Sequence, residues 1–528
     1  RFTVPLRPGE PEGSVLMSGR RTRRGGQTSR EAMHALRALP PAMDPCPPGA
    51  PGGRYQPLGE SDLQSIYETA LRVLSEIGMG QSPDALTEKA VAAGAHLGDN
   101  GRLCFPRSMV EDIIAGACRS FVFHGRDERH DLTVGGDRVH FGTGGAAVQT
   151  LDRESGVYRP STLVDLADFT RLADSLKNIA WFTRCCVATD VPDNFDLDIN
   201  TAYALIRGTT KPIGTSFFLA DHVAPAISMF DQVLGGEGRF RERPFCKAHI
   251  SPVISPLRYG EDAVSVTLAV MAHRMPINAI IAAQSGATSP AAPAGMLVST
   301  LAETLAALVM VNVFEPGYPM IFSNWPFVID LRTGSFSGSG GEISLLNAAS
   351  AQLTNWLGLP SGVASSMADA KAVDAQMGME KALSALATGL AGGNMIYESS
   401  GMMASLLGVS FEAFVIDDEM LSMVYRLLRG IEVNEDTLGY EAIQQAVFGD
   451  GHFLGSAHTM AAMERDYYYP KLSDRQDPVS WLETGGDDMW QRAGKRVGEI
   501  LDNHKPQYIE PAADRAIREQ FNILLPAD

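Results

Sequence analysis

Phe217, Phe218, Trp325 and Phe327 stand just past short apolar runs of the chain, and the polar residues nearest them suit holding a ligand better than cleaving one. Aromatic faces attract quaternary ammonium groups through their quadrupoles, worth about 2 kcal/mol once the cation is desolvated. Trp325, set between Asn324 and Pro326, is the strongest candidate for such a contact. Of the adjacent pair Phe217 and Phe218, one ring must face away. Reactive sets are missing. The segment Gly334-Ser335-Phe336-Ser337-Gly338 carries Phe where a nucleophile elbow needs Ser, and neither a HExxH helix nor an EF-hand loop occurs. Cys246 and His249 lie three apart on one predicted strand, so their side chains point to opposite faces and do not share a metal. Cys246 and the Cys185-Cys186 pair are read as packing residues. His452 and His458, either side of Gly455, are a weak metal pair, and no metal site is expected.

Residues of this kind need a scaffold that brings loops together. Short apolar runs alternate with longer helical patterns through the middle of the chain. Strands are predicted at Arg138–Gly142, Ile179–Thr183, Pro212–Ser216, Phe245–Ile250, Pro276–Ala282, Pro319–Ser323, Ser361–Ala364 and Asn394–Tyr397. Helices are predicted between them. Thr162–Leu176 has Leu163, Leu166, Phe169, Leu172, Ala173 and Leu176 on one side, with Ser161 as cap. Glu342–Leu357 and Ala375–Leu390 are similar. Strands alternating with helices pair in parallel through right-handed crossovers, and eight such units favour a closed TIM (β/α)8 barrel over an open doubly wound sheet. The Gly-rich phosphate turn of the open alternative is not well formed at Gly142-Thr143-Gly144-Gly145. In a barrel, chemistry sits beyond the C-terminal ends of the strands. That rule selects Thr143-Gly144-Gly145, Phe217-Phe218, His249 and Ser251, Gln284 to Thr288, Asn324 to Phe327 with Asp330 and Arg332, Ser366-Met367, and Glu398.

Flanking the barrel, residues 1–57 read as a Pro-, Gly- and Arg-rich arm and residues 58–131 as a helical region. There Leu63, Ile66, Ala70, Val73, Leu74 and Ile77 form one apolar face, and a second helix runs from Arg107 to Cys118. The barrel occupies residues 132–430, and residues 431–528, with Trp481 and Trp490, form a helical C-terminal extension. The 528-residue chain is 45% hydrophobic with a formal net charge of −18. So acidic a chain repels phosphate backbones, which excludes nucleic acid as the expected partner. The exception is Arg20, Arg21, Arg23 and Arg24. No apolar stretch follows them, so they suit an arm docked on a neighbouring subunit, in a homo-oligomer, better than an export signal. Met296 to Phe314 carries Glu303 and Asn312 and is expected to be a buried helix. Six scattered cysteines suit reduced thiols. The expected setting is cytoplasmic, without membrane insertion.

Several ordered blocks resemble the trimethylamine methyltransferase family: Gln284-Ser285-Gly286-Ala287-Thr288-Ser289-Pro290, Asp330-Leu331-Arg332-Thr333-Gly334, and Asp374-Ala375-Gln376 with Glu380-Lys381. Gly451-His452-Phe453-Leu454-Gly455, Tyr469-Pro470, Trp481 and the arm Arg20 to Gly26 are similar as well, so the resemblance spans essentially the whole chain. It implies a TIM barrel that passes a substrate methyl group to the cobalt of a corrinoid (cobalamin) cofactor carried by a separate corrinoid protein. Archaeal members carry pyrrolysine, expected here near the loop of the sixth strand, between Ile321 and Phe336. This sequence holds only the twenty standard residues and so resembles the branch without pyrrolysine, whose known members demethylate quaternary amines such as glycine betaine.

The resemblance implies roles. Trp325, Phe327 and Phe217 or Phe218 would cage an ammonium group. Glu398 or Asp330 would supply negative charge. His249, Gln284 or Arg332 would hold a substrate carboxylate, although Arg332 pairing with Asp330 or Asp374 is an equal expectation. Asp374, Gln376 and Glu380 open a helix and are either structural or cobamide-facing. Three other functions stay open: a barrel that binds methylated amines without turnover, a methyltransferase that takes trimethylamine itself, and a zinc-dependent thiol methyltransferase.

Overall fold

The computed structural model describes residues 44–527. The basic cluster Arg20 to Arg24 therefore lies outside the described residues. Eight parallel strands form the central sheet: β1 (His140–Phe141), β2 (Phe182–Thr183), β3 (Ile213–Thr215), β4 (Cys246–Ile250), β5 (Ile277–Ile281), β6 (Met320–Asn324), β7 (Ser361–Ala364) and β8 (Met395–Tyr397). Each lies within or one residue beyond a strand predicted from sequence. Pairing runs in order from β2 through β8 and then from β8 to β1. The last gap closes through Ala180 N donating to Phe141 O at 2.8 Å. The sheet is a TIM barrel rather than an open sheet.

After each strand comes a main helix: α1 (Leu163–Ser175), α2 (Asn194–Gly208), α3 (Val223–Val233), α4 (Glu261–Ala272), α5 (Pro293–Phe314), α6 (Gly341–Trp356), α7 (Ala375–Ala391) and α8 (Phe411–Arg429). The strands are largely buried because helices cover one face and the barrel core the other; all five residues of β5 are buried. α5 is long and apolar enough to span a bilayer, but 78% of its most apolar window is buried inside the protein. The two polar residues noted there are satisfied within the fold. Glu303 accepts from Ser255 Oγ at 2.6 Å and Leu257 N at 2.8 Å, and Asn312 accepts from Gly317 N.

Two local expectations shift. The cap of α1 is Thr162, not Ser161. Thr162 Oγ1 accepts from Asp165 N while Asp165 Oδ2 accepts from Thr162 N, a reciprocal box, and Ser161 Oγ instead donates to Val187 O at 2.6 Å. In the N-terminal helix Glu60–Arg72, Leu63, Ile66 and Ala70 are buried as expected, but Ile77 is 47% exposed. The helix widens to a π-turn over Val73–Ile77, with Gly78 N bonded to Val73 O, and the extra residue turns Ile77 off the apolar face. The second helix of this region runs over Arg107–Gly116.

The loops after the strands carry small sheets of their own. Gln149–Leu151 and Tyr158–Pro160, after β1, join Met402–Met403 and Gly408–Val409, after β8, in a four-stranded sheet beside the barrel mouth. Val328–Asp330 pairs with Ser335–Ser337 as a hairpin after β6. Beyond α8 come short helices, then Met489–Asn503 and Pro511–Gln520, which lie on the outer helices. Tyr203 of α2 donates to Asp514 and accepts from Arg518 Nη2, fixing the last helix to the barrel.

Candidate functional site

Side chains on adjacent barrel strands converge at the C-terminal end. On β4, Lys247 and His249 share one side by strand alternation. His249 Nδ1 lies 3.0 Å from Asn278 Nδ2 of β5, and Asn278 Oδ1 accepts from Ser323 Oγ of β6. This chain fixes the imidazole and makes Nδ1 the acceptor. The ring stands 5.4 Å from Trp325 and 5.6 Å from Tyr397, and Trp325 stands 5.4 Å from Tyr397, all centroid to centroid. Trp181 closes on Tyr397 at 5.1 Å from the opposite side. Phe327 meets Trp325 edge-on at 6.3 Å.

Continued pairing beyond β5 and β6 sets these rings. Trp325 N donates to Ile281 O at 2.8 Å and Phe327 N to Ala283 O at 2.9 Å, while Ser285 N donates to Phe327 O at 2.9 Å. Trp325 and Phe327, two residues apart on this extended segment, therefore project to the same side. Gln284 anchors the neighbouring turn: its carbonyl accepts from the amides of Ala287, Thr288 and Ser289, and Thr288 Oγ1 accepts from its own amide.

Glu398, directly after β8, is fully buried, and neither carboxylate oxygen has a hydrogen-bond partner. Burial pushes its pKa up to about 8, against a partial opposing effect of the Lys381 ammonium. Its backbone is left-handed, φ 64°. The carboxylate lies over the turn after β1. A Cβ on Gly144 would come 3.1 Å from both Glu398 Oε1 and Tyr397 Cδ1, and one on Gly145 would come 2.7 Å from Glu398 Oε2. The glycine pair is thus what admits this carboxylate beside the rings. Other buried polar atoms lack partners nearby in the strand ends: both amide atoms of Asn324 and the indole Nε1 of Trp325. Buried polar groups are almost always paired, so a group of orphans at one end of a barrel marks a place where a ligand supplies the partner.

Deeper on β4, Lys247 Nζ donates to Thr183 Oγ1 at 2.9 Å and lies 4.7 Å from the centre of the Tyr397 ring. Burial lowers its pKa to about 7. His249 is held well below its ordinary value, first by burial and then by the charges of Lys247 and Arg184.

The residues proposed from sequence divide into groups. Trp325, Phe327, His249 and Glu398 come together at the mouth. Phe217 is buried and Phe218 is 49% exposed, as one outward ring requires. They line a neighbouring cavity with Arg184, Asp198 and Ser216. Asp330 and Arg332 are not brought to the rings. Arg332 Nη2 donates to Asp330 Oδ2 at 2.8 Å at the tip of the hairpin after β6, where the arginine side chain is 88% exposed. Asp374 caps α7 through Gln376 N and Met377 N. Glu380 Oε2 accepts from Asp369 N and Ala370 N, and its Oε1 accepts from Gln376 Nε2 at 2.8 Å. These three order the β7–α7 loop, with Asp374 and Gln376 exposed at the same end of the barrel as the rings. The paired Lys381 forms a buried ion pair with Asp417 at 3.0 Å and donates to Ser366 O.

Sequence reasoning missed Tyr397, Trp181, Lys247 and Arg184. Tyr397 sits within a predicted strand, where an aromatic reads as core. Lys247 carried a usable signal, a lysine inside a five-residue strand whose flanks are apolar. Cys246 is a small buried core residue on β4, and Cys185 and Cys186 are buried just beyond β2. His458 Nε2 lies 3.1 Å from Asp436 O. Among the described residues no group of three or more His, Cys, Asp or Glu is placed to hold a metal ion.

Chemically, the mouth offers rings and one buried carboxyl without a hydrogen-bond partner among the described residues, an arrangement suited to a cation.

Comparison with known proteins gives one family and several relatives. The family model described as trimethylamine methyltransferase matches residues 20–522. A glycine betaine methyltransferase of Desulfitobacterium hafniense strain Y51 is 30% identical over 471 residues, 88% of this chain and 96% of that protein. A trimethylamine methyltransferase from another strain of Desulfitobacterium hafniense is 30% identical over 85% of this chain and 90% of its own length. One from Methanosarcina thermophila is 30% identical over 85% and 93%.

Proposed function

From the premise that this chain belongs to the trimethylamine methyltransferase family, we propose that it takes a methyl group from a small quaternary amine, with glycine betaine favoured, and passes it to the reduced cobalt of a corrinoid carried by a separate protein. The observation that carries this reading is the ring cluster of Trp325, Tyr397 and His249 beside the partnerless carboxyl of Glu398. A quaternary nitrogen cannot donate a hydrogen bond, so its recognition needs π faces and a counter-charge, and the mouth supplies both.

The corrinoid, when docked, supplies the nucleophile for the methyl carbon. The chain has three other tasks. It desolvates the ammonium among rings. It balances the charge with Glu398, whose carboxylate form a bound cation stabilises. It holds one methyl group toward the barrel opening, where in-line approach becomes effectively intramolecular. Departure of the methyl leaves a neutral tertiary amine, so no proton has to move and no general acid is needed. His249, fixed by Asn278 and kept neutral, adds an aromatic wall without a competing positive charge.

The exposed start of α7, with Asp374 and Gln376, lies on the face such a partner must approach, and we assign cobamide contact there. The protein's setting in this proposal is the cytoplasm, consistent with six free thiols, and its state is a homo-oligomer. The test is a methyl-transfer assay with Co(I) cobalamin across glycine betaine, choline and trimethylamine. Equal amounts of methylcobalamin and dimethylglycine from glycine betaine are expected. Transfer from trimethylamine alone contradicts the proposal, and tight betaine binding without any transfer replaces it with a binding function.

A further inference from the structure

Next to the rings a cavity of 160 Å³ opens between the ends of β2 and β3 and the first turns of α2. Arg184, Asp198, Thr201, Ser216, Phe217 and Phe218 are among its walls. Arg184 follows β2 directly and its amide bonds to Gly214 O. Its side chain is half-buried against the cavity, and it forms no hydrogen bond or ion pair with any described residue. That is unusual in this molecule. Arg126, similarly half-buried, donates to the carbonyls of Tyr508, Thr209 and Ile206, and Arg159 takes both oxygens of Asp165. A guanidinium stays charged and carries five donors, so one half-buried in a cavity wall without a protein partner is set to take an anionic ligand group.

Asp198 shares the cavity and its charge acts on Arg184 from a distance, but the two make no direct contact. Its Oδ2 accepts from Phe218 N at 2.8 Å and stands 2.6 Å from His222 Nδ1, and it forms no ion pair with Arg184. The cavity also abuts the ring cluster. Ser216 Oγ, in its wall, donates to the carbonyl of His249 at 2.9 Å, and the field of Arg184 reaches the His249 imidazole.

We propose that this cavity is a carboxylate subsite, in which Arg184 binds the carboxylate of a zwitterionic quaternary amine whose ammonium lies against Trp325, Tyr397 and His249. The inference rests on the quaternary-amine reading above and narrows it to amines that carry an acid group a short chain away. The volume suits a carboxymethyl-sized group and is small beside the pockets that take drug-sized ligands. A planar fork matched to a carboxylate is also a strong discriminator. A ligand lacking the acid leaves Arg184 unpaired in a site built to bond it, and such sites reject the shorter analogue steeply.

The test is calorimetric binding of glycine betaine and of tetramethylammonium to the full chain and to its Arg184→Gln and Arg184→Lys variants, with a thermal melt of each. Wild-type protein should prefer glycine betaine. Arg184→Gln should weaken glycine betaine by about 50-fold, the loss of a charge-assisted pair, with tetramethylammonium affinity unchanged or higher. Arg184→Lys should keep part of the preference, reduced at least about fivefold, and decides the matter if the glutamine variant fails to fold. Equal weakening of both ligands, or no weakening of either, overturns the subsite. The two proposals fail separately. Arg184-dependent betaine binding without methyl transfer to Co(I) cobalamin leaves the subsite standing and removes the transfer reading. Methyl transfer by a protein that binds betaine no better than tetramethylammonium does the reverse.

Discussion

The fastening points of the barrel and its ring cluster treat the same residue types in opposite ways. At the N-terminal end Lys211 is buried and donates to three carbonyls, those of Ala173, Leu176 and Ile179, at 2.6 to 2.7 Å. Lys247, buried at the second residue of β4 and level with Gly214, has one side-chain hydrogen-bond partner among the described residues, Thr183 Oγ1. Asn394, before β8, accepts from Ser361 N and donates to the carbonyls of Gly136 and Arg138, whereas Asn324, at the end of β6, has no partner for either amide atom. The acids differ likewise. Both lie towards the C-terminal end, yet Asp417 Oδ2 pairs with Lys381 and accepts from Gly401 N, while neither carboxylate oxygen of Glu398 has a hydrogen-bond partner among the described residues. In each of these pairs the partnered group fastens strands and helices to one another, whereas the carboxyl of Glu398 and the amide of Asn324 stand unpartnered among the described residues beside the ring cluster. A fold pays for the second arrangement only where binding returns the free energy.

The comparison breaks first at Lys211. Replacing it with Met strands three buried carbonyls, and the expected loss is about 4 kcal/mol of stability, read by denaturant unfolding. An unchanged midpoint would mean that the lysine is not what ties these carbonyls together. Next in size is Glu398→Gln. It should cut kcat/KM for glycine betaine by about 100-fold, about 3 kcal/mol, because the bound cation loses its buried counter-charge. The same variant should be no less stable than the wild type. Glu398 has a raised folded pKa, so the native state binds more protons than the unfolded chain between the ordinary carboxyl range and about pH 8. Stability therefore falls as pH rises through that window, and the glutamine variant should show a flatter profile.

Trp325→Ala should weaken quaternary ammonium binding by about 30-fold, in line with about 2 kcal/mol for a desolvated cation–π contact. Titration with tetramethylammonium checks it without requiring turnover. Smallest of all is Arg332→Ala. Its side chain is exposed and paired only with Asp330, so methyl transfer and melting temperature should both match the wild type. A clear loss of transfer would bring the hairpin after β6 into the site.

How far the sequence revealed this contrast follows from the physics of each element. The eight barrel strands were legible because a parallel strand covered on both faces reads as a mostly apolar run, as in Met395 to Tyr397. Trp325 and Glu398 were legible because they sit just past such runs. Tyr397 and Lys247 were not, since whether a strand residue points inward depends on a barrel register that pairing between distant segments sets. Arg184 was invisible for a related reason. Its lack of a partner is a property of the folded surroundings, and no spacing along the chain encodes it. The small sheet joining Gln149–Leu151 to Gly408–Val409 also left no pattern, because strands of two or three residues are too short to show alternation. The exchange of Thr162 for Ser161 as cap turned on Asp165, three residues on, which completes a reciprocal box only with Thr162.

The most direct measurement is the number of protons released when a quaternary ammonium binds. At pH 7 a carboxyl with a pKa raised to about 8 is mostly protonated, and a cation against it favours the carboxylate. Calorimetry of tetramethylammonium binding at pH 7, in buffers of different ionisation heat, should show close to one proton released per ligand in the wild type and none in Glu398→Gln. Binding with no proton release in the wild type would contradict a spare carboxyl poised at the barrel mouth as the counter-charge.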